Sequence, residues 1–129
     1  NVGKYPTLSP SGSDNIKIFR IEEIVPNHAE ALQATGGDAL TYLNKITAAR
    51  GASAYTAATL ENILEERRKE LIFEGFRFHD LARHGLGIRD MGEIINNHGE
   101  IEAGSYKFAM PIPQGEIDAN RLSVQNPGY

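Results

Sequence analysis

The residues with the most chemical potential lie in one run, Ile63 to Arg83, which reads ILEERRKELIFEGFRFHDLAR. Glu66, Arg67, Glu70, Glu74, Arg77, Asp80 and Arg83 stand there among Leu, Ile and Phe. If Leu60 faces a core, then Leu64, Arg67, Leu71 and Glu74 follow on the same helical stripe. A charge on such a stripe is costly unless a partner pairs it. Simple solvent exposure would remove that cost, and two kinds of chemistry would meet it. One is a partly buried structural ion-pair network joining Glu66, Glu70, Glu74 and Asp80 to Arg20, Arg67, Arg77 and Arg83. The other is an acid/base pair or an anion site, which uses the same residue types in an open cleft. The network is the reading adopted here.

Other chemistries have less footing. His79 and His84 are five residues apart and face different sides of a helix, whereas metal-binding helices favour a four-residue spacing. His28 and His98 are isolated in the sequence. There is no Cys, so disulfides and thiolate metal sites are excluded. No GxSxG, GxGxxG or GxxxxGK[ST] pattern is present. No catalytic residue, metal or cofactor is therefore expected. Tyr5, Tyr42, Tyr55, Tyr106 and Tyr129 are possible sugar platforms, but aromatics at such spacings more often pack in a core.

These residues need helices to position them. Ile18, Ile21, Val25, Ala29 and Leu32 recur at helical spacing. They predict a first helix over about 20–35, ended by Gly36-Gly37. Pro26 inside it cannot donate to residue 22, so a bend or a late start is expected there. Asp38 reads as the N-cap of a second helix over about 39–50, closed by Gly51. The short connection makes the two a helical hairpin. Thr59 caps a third helix, expected over 60–74, and a fourth follows over 76–84. Residues 91–96 have room for a turn or two of helix. Tyr106–Met110 reads as a strand or extended packing segment, Pro111-Ile112-Pro113 as extended, and 114–119 as a single turn. Residues 1–15 are rich in Gly, Pro and Ser and read as an extended arm.

Composition bounds the function. The 129 residues carry a formal net charge of −4, which argues against a nonspecific nucleic-acid binder. No apolar run reaches the length that spans a bilayer. Leu, Ile, Val and Phe supply about a quarter of the chain, enough for a folded core.

The run Glu66, Arg67, Glu70, Leu71, Glu74, Gly75, Arg77, Asp80, Leu81 and Arg83 resembles the signature of the SusD/RagB family of outer-membrane nutrient-binding lipoproteins. Arg20, Glu23, Asn27, Ala29, Glu30 and Ala31 resemble an earlier helix of that family, and LNKITAARG the helix after it. PIPQGEIDANRLSVQNPGY is similar to its C-terminal close. The resemblance covers about Phe19 to Tyr129. It implies a mainly α fold of tetratricopeptide-like hairpins with an irregular, extended C-terminal segment. It implies a non-catalytic role, binding glycans or related nutrients at the cell surface. The implied partner is a TonB-dependent SusC-like transporter in the outer membrane. Family members are several times longer and start from a lipid-modified Cys. The chain is therefore expected to be a C-terminal region, with residues 16–129 as a single domain, no anchor of its own, and a tendency to self-associate in isolation. The family's glycan-contacting aromatics generally lie elsewhere, so no ligand-binding residue is assigned. Two rivals remain. One is a stand-alone helical protein-interaction module. The other is a small hydrolase using Glu70 or Glu74 with His79, which a closed ion pair would oppose.

Overall fold

A computed structural model describes residues 18–89 and 100–129. The expected arm over 1–15 and the helical turn over 91–96 lie outside the described residues. Helix α1 runs Ile21–Thr35 and α2 runs Ala39–Ala49. Their connection is short because α1 closes on itself. Gly36 takes φ 75°, its N–H reaches Gln33, and the Gly37 N–H donates to the Leu32 carbonyl at 2.7 Å. This pair of bonds is a Schellman motif, and a residue with a Cβ would be strained at Gly36. Asp38 then starts α2 by accepting from the Thr41 N–H at 3.1 Å. The hairpin follows from these local choices.

Helix α3, Leu60–Glu70, packs on both α1 and α2. Thr59 caps it, accepting from the Asn62 N–H at 3.2 Å. Ala29, Leu43 and Ile63 are fully buried where the three helices meet, and Tyr42, Tyr55 and Ala58 pack against them. These elements belong to a first compact unit that ends at Leu71.

Three expectations need correction here. Of the two outcomes expected at Pro26, a bend or a late start, the late start does not occur, since α1 begins at Ile21 and carries Pro26 in its interior. Pro26 is fully buried, so its ring packs as an apolar group with no N–H to satisfy. Only the later part of the Ile18–Leu32 stripe faces the core, through Ala29: Ile18 and Ile21 at its start are exposed, as are Phe19 and Ile24. Helix α3 stops at Glu70 rather than at residue 74. Phe73 turns to φ 63° and Gly75 to φ 82°, so the helical register ends before Glu74.

The second compact unit runs Ile72–Tyr129. Its α4, Phe76–Arg83, buries Asp80 and Leu81. Ile88 and Ile101 exchange two backbone bonds, at 2.8 and 3.0 Å, in one antiparallel bridge. Tyr106–Phe108 forms a 3-10 turn where a strand or extended segment was expected, because Ser105 caps it and accepts from the Lys107 N–H. The chain is extended from Ala109 onward, then forms α5, Gln114–Ala119. The described residues are thus mainly α, with an irregular, extended closing segment. None of their helices is long and apolar enough to cross a membrane.

Candidate functional site

In the first unit three helix ends meet at Glu70, the last residue of α3. Its Oε1 accepts from Arg20 Nη1 at 2.9 Å and from Arg50 Nη2 at 2.7 Å, and its Oε2 from Arg50 Nε at 2.9 Å. Arg20 precedes α1 and Arg50 follows α2, so the contact ties the start of one helix to the ends of two others. Arg20 Nη2 also donates to the Glu70 carbonyl at 2.6 Å. That carbonyl sits at a helix C-terminus, where acceptors lack intrahelical donors, and the guanidinium supplies one. Glu22 stands 3.4 Å from Arg50 and 3.6 Å from Arg20, which balances the two cations with two anions. The Arg50 hydrogen bonds, and then those from Arg20, hold the Glu70 carboxyl below its ordinary value against the opposing effect of burial.

One turn earlier Glu66 is buried and accepts from the Tyr55 hydroxyl at 3.0 Å. Lys69 Nζ donates to that hydroxyl at 3.0 Å. Tyr55 is itself fixed by Asn44, whose amide accepts from the Tyr55 N–H at 2.8 Å and donates to its carbonyl at 3.0 Å. Arg67 is buried and donates to the Asn27 side chain on α1. No buried side-chain nitrogen or oxygen among the described residues lacks a hydrogen-bond partner.

In the second unit Asp80 is buried on α4 and accepts from Arg83 Nε and Nη2, at 3.1 and 2.9 Å. Glu74 is half-buried in the turns between Leu71 and Gly75. Arg77 is exposed. Of the named network residues, the structure therefore brings Arg20 to Glu70 and Arg83 to Asp80. Glu66 meets the Tyr55 hydroxyl and, at 3.7 Å, Lys69 Nζ, and Asn27 is one of the groups that Arg67 reaches.

Sequence reasoning missed Arg50, Asn27, Tyr55 and Asn44 as partners. Arg50 is the residue before Gly51 at the end of α2, a place that favours a cation, but nothing in the sequence aims it at Glu70 twenty residues on. Among the described tyrosines, Tyr42 and Tyr55 pack against the core. Tyr42 lies 4.4 Å from the His28 ring with Lys45 Nζ 4.2 Å from its centroid, and Tyr106 meets Tyr129 edge-on at 5.1 Å. Tyr5 lies outside the described residues. No cluster of three or more His, Asp or Glu is placed to hold a metal among the described residues.

What this geometry can do is orient helices. Glu70 is closed between two guanidiniums, and a carboxylate held ionised in that way is a poor general acid. The fold and site are those of a helical-hairpin scaffold knit by part-buried ion pairs. The chain belongs to the SusD family, whose model matches residues 5–129. Starch-binding protein SusD of Bacteroides thetaiotaomicron is 30% identical over 134 residues, 98% of this chain and 24% of that protein. A solved SusD superfamily protein from the same organism is 38% identical with a TM-score of 0.76, covering 97% of this chain and 31% of its own. Surface glycan-binding protein A from that organism, solved in complex with laminarihexaose, is 35% identical with a TM-score of 0.71 and covers 92% and 27%. The chain spans about a quarter of the length of the curated relatives it matches.

Proposed function

We propose that the chain is part of a non-catalytic surface protein that binds glycans or related nutrients. In this reading it passes them to a TonB-dependent SusC-like transporter in the outer membrane, to which an upstream lipid anchor attaches it. The observation that carries the reading is the family membership together with a 35% identical relative that holds laminarihexaose. The helical unit acts as scaffold. Arg20, Arg50 and Glu70 fix three helix ends, and Asn44 and Tyr55 fix the connection between α2 and α3. The network of Arg20, Glu66, Arg67, Glu70, Glu74, Arg77, Asp80 and Arg83 is proposed as architectural throughout.

The test is a glycan array probed with the protein as cells make it. Retention of glucose oligosaccharides, with no new reducing ends, is expected. No retained glycan, or the release of shorter products, overturns the reading. A TonB-dependent transporter is expected to copurify from crosslinked outer membranes, and its absence would remove the delivery step.

A second reading has one observation in its favour. Ile18, Phe19, Ile21 and Ile24 leave an apolar strip exposed at the start of α1. Such a strip suits a helical protein-interaction module, and in the isolated chain it suits self-association. Light scattering should show dimers or larger species at high concentration. A monomer throughout would count against that use of the strip, and copurification of a soluble protein in place of glycan retention would select the module.

A further inference from the structure

The extended segment after Tyr106–Phe108 has an unusual source of backbone partners. Ile112 donates its N–H to Gln125 Oε1 at 2.8 Å and accepts from Gln125 Nε2 at 2.9 Å. One side-chain amide thus closes both polar groups of one residue, as a neighbouring strand does in a hydrogen-bonded antiparallel pair. Asn126 Nδ2 donates to the Met110 carbonyl at 2.6 Å, and the Tyr129 hydroxyl donates to the Ala109 carbonyl at 3.0 Å. The Asn126 N–H holds Gln125 Oε1 at 2.9 Å, which fixes the amide that does the pairing.

The rest of the closing segment is shaped to deliver these groups. Gly128 takes φ 95°, and a Cβ there would sit 2.6 Å from the Tyr106 ring. Only glycine lets the chain pass under that ring and bring Tyr129 edge-on to it. On the other side Pro111 and Pro113 lack N–H groups and hold φ near its extended value. The Ala109–Ile112 stretch keeps its shape without a paired strand, and offers its acceptors in a row.

We propose that Gln125–Tyr129 is a releasable strap. Its side chains stand in for a strand and close the backbone edge at Ala109–Ile112, and the strap and the edge are separable recognition partners. Pro127, Gly128 and Tyr129 are themselves exposed, so apart from the edge-on contact of Tyr129 with Tyr106 little apolar burial holds the strap, and its polar bonds decide whether it is closed.

Hydrogen exchange on the full chain tests this. In Gln125→Ala/Tyr129→Ala the Ile112 amide should exchange at least about tenfold faster. A peptide of sequence SVQNPGY, residues 123–129, added in trans should restore its protection. The amides of Leu86 and Ile88, bonded to Leu81 and Ile101, report whether the unit stays folded. If they also lose protection, Gln125→Glu is the decisive variant. Its carboxylate still accepts from Ile112 but donates nothing to the Ile112 carbonyl. Ile112 should then exchange faster at neutral pH and slow again, after correction for intrinsic rates, once the carboxyl is protonated. Unchanged Ile112 exchange in the variant that folds, or no restoration by the peptide, overturns the strap.

Discussion

Asn44 and Gln125 make the same pair of bonds in the two units of the chain. Each side-chain amide accepts the N–H and fills the carbonyl of one loop residue, Tyr55 in the first unit and Ile112 in the second. Their surroundings differ. Asn44 rides on α2 beside fully buried Leu43, and Tyr55 packs against the core. Gln125 follows exposed Val124 in an irregular segment. Among the described residues, seven of the eight buried hydrophobics, from Ala29 to Leu71, lie in the first unit and only Leu81 in the second. The contrast teaches that one hydrogen-bond geometry serves two purposes. Where a core already fixes the partners it adds order to a rigid scaffold. Where no core does, it becomes the main restraint.

If that contrast is right, the largest loss should come from the first unit's buried charges. Glu70→Ala leaves two guanidiniums with Glu22 as their remaining anion at a part-buried junction, where the Arg50 side chain is 48% exposed, and should cost about 3 kcal/mol in urea unfolding, the low end for breaking a buried pair. A loss under about 1 kcal/mol would mean that water already serves those cations. Arg67→Ala comes next, at roughly 2–4 kcal/mol, because it removes a buried cation and leaves groups such as Asn27 without their donor. A loss below about 0.5 kcal/mol would place Arg67 functionally on the surface.

Acid separates the two units without a mutation. The folded state holds the Glu70 carboxyl below its ordinary 4.5, so the unfolded chain takes up a proton first as pH falls. The stability due to this shift is fully present above that ordinary value and is lost as pH drops through the lowered folded value. The side-chain amides of Gln125 and Asn126, which pair with Ile112 and Met110, are neutral throughout that range. Urea midpoints at pH 7 and pH 3 should therefore fall for the first unit, while Ile112 keeps its relative protection wherever the second unit stays folded. Equal loss at both sites would break the comparison.

The parts of this architecture that were readable in the sequence are the ones set by neighbours. Asp38 and Thr59 cap their helices, and Gly36-Gly37 ends α1, because each acts over three to five residues. The same short connection makes α1 and α2 a hairpin. What escaped reading depends on distant contact. The partners Arg50 and Asn27 reach their carboxylate and guanidinium across twenty and forty residues. Ile18 and Ile21 carry a helical period that nothing in the described unit buries. The early end of α3 depends on Phe73 accepting a left-handed backbone, against its own preference. The side-chain strap had no signal, since Gln, Asn and Tyr in a loop look alike whether or not they face a backbone edge.

Asn44→Ala should cost about 1–2 kcal/mol, from two lost bonds at a partly buried loop. Removing the Gln125 amide should instead leave global unfolding nearly unchanged and appear as local exchange at Ile112. A global loss at Gln125 as large as that at Asn44 would mean that the second unit leans on its strap for overall folding.

The smallest effect is expected at Arg68, and it tests whether burial, rather than pairing itself, sets the scale. Arg68 grips Glu65 with two bonds, at 2.8 and 2.6 Å, as short as those around Glu70. By distance alone the two pairs look equal. They differ in solvent at the carboxylate: the Glu65 side chain is 37% exposed and that of Glu70 only 7%, whereas the Arg68 and Arg50 side chains are alike at 45% and 48%. Water recovers most of what an exposed ion pair loses on separation, so Arg68→Ala should cost no more than about 0.5 kcal/mol. Raising the salt concentration should shrink even that difference between wild type and variant. If Arg68→Ala destabilised the chain as much as Arg67→Ala, short contact rather than desolvation would govern the run, and the contrast between a buried junction and a solvated surface would fail where the two arginines are adjacent in sequence.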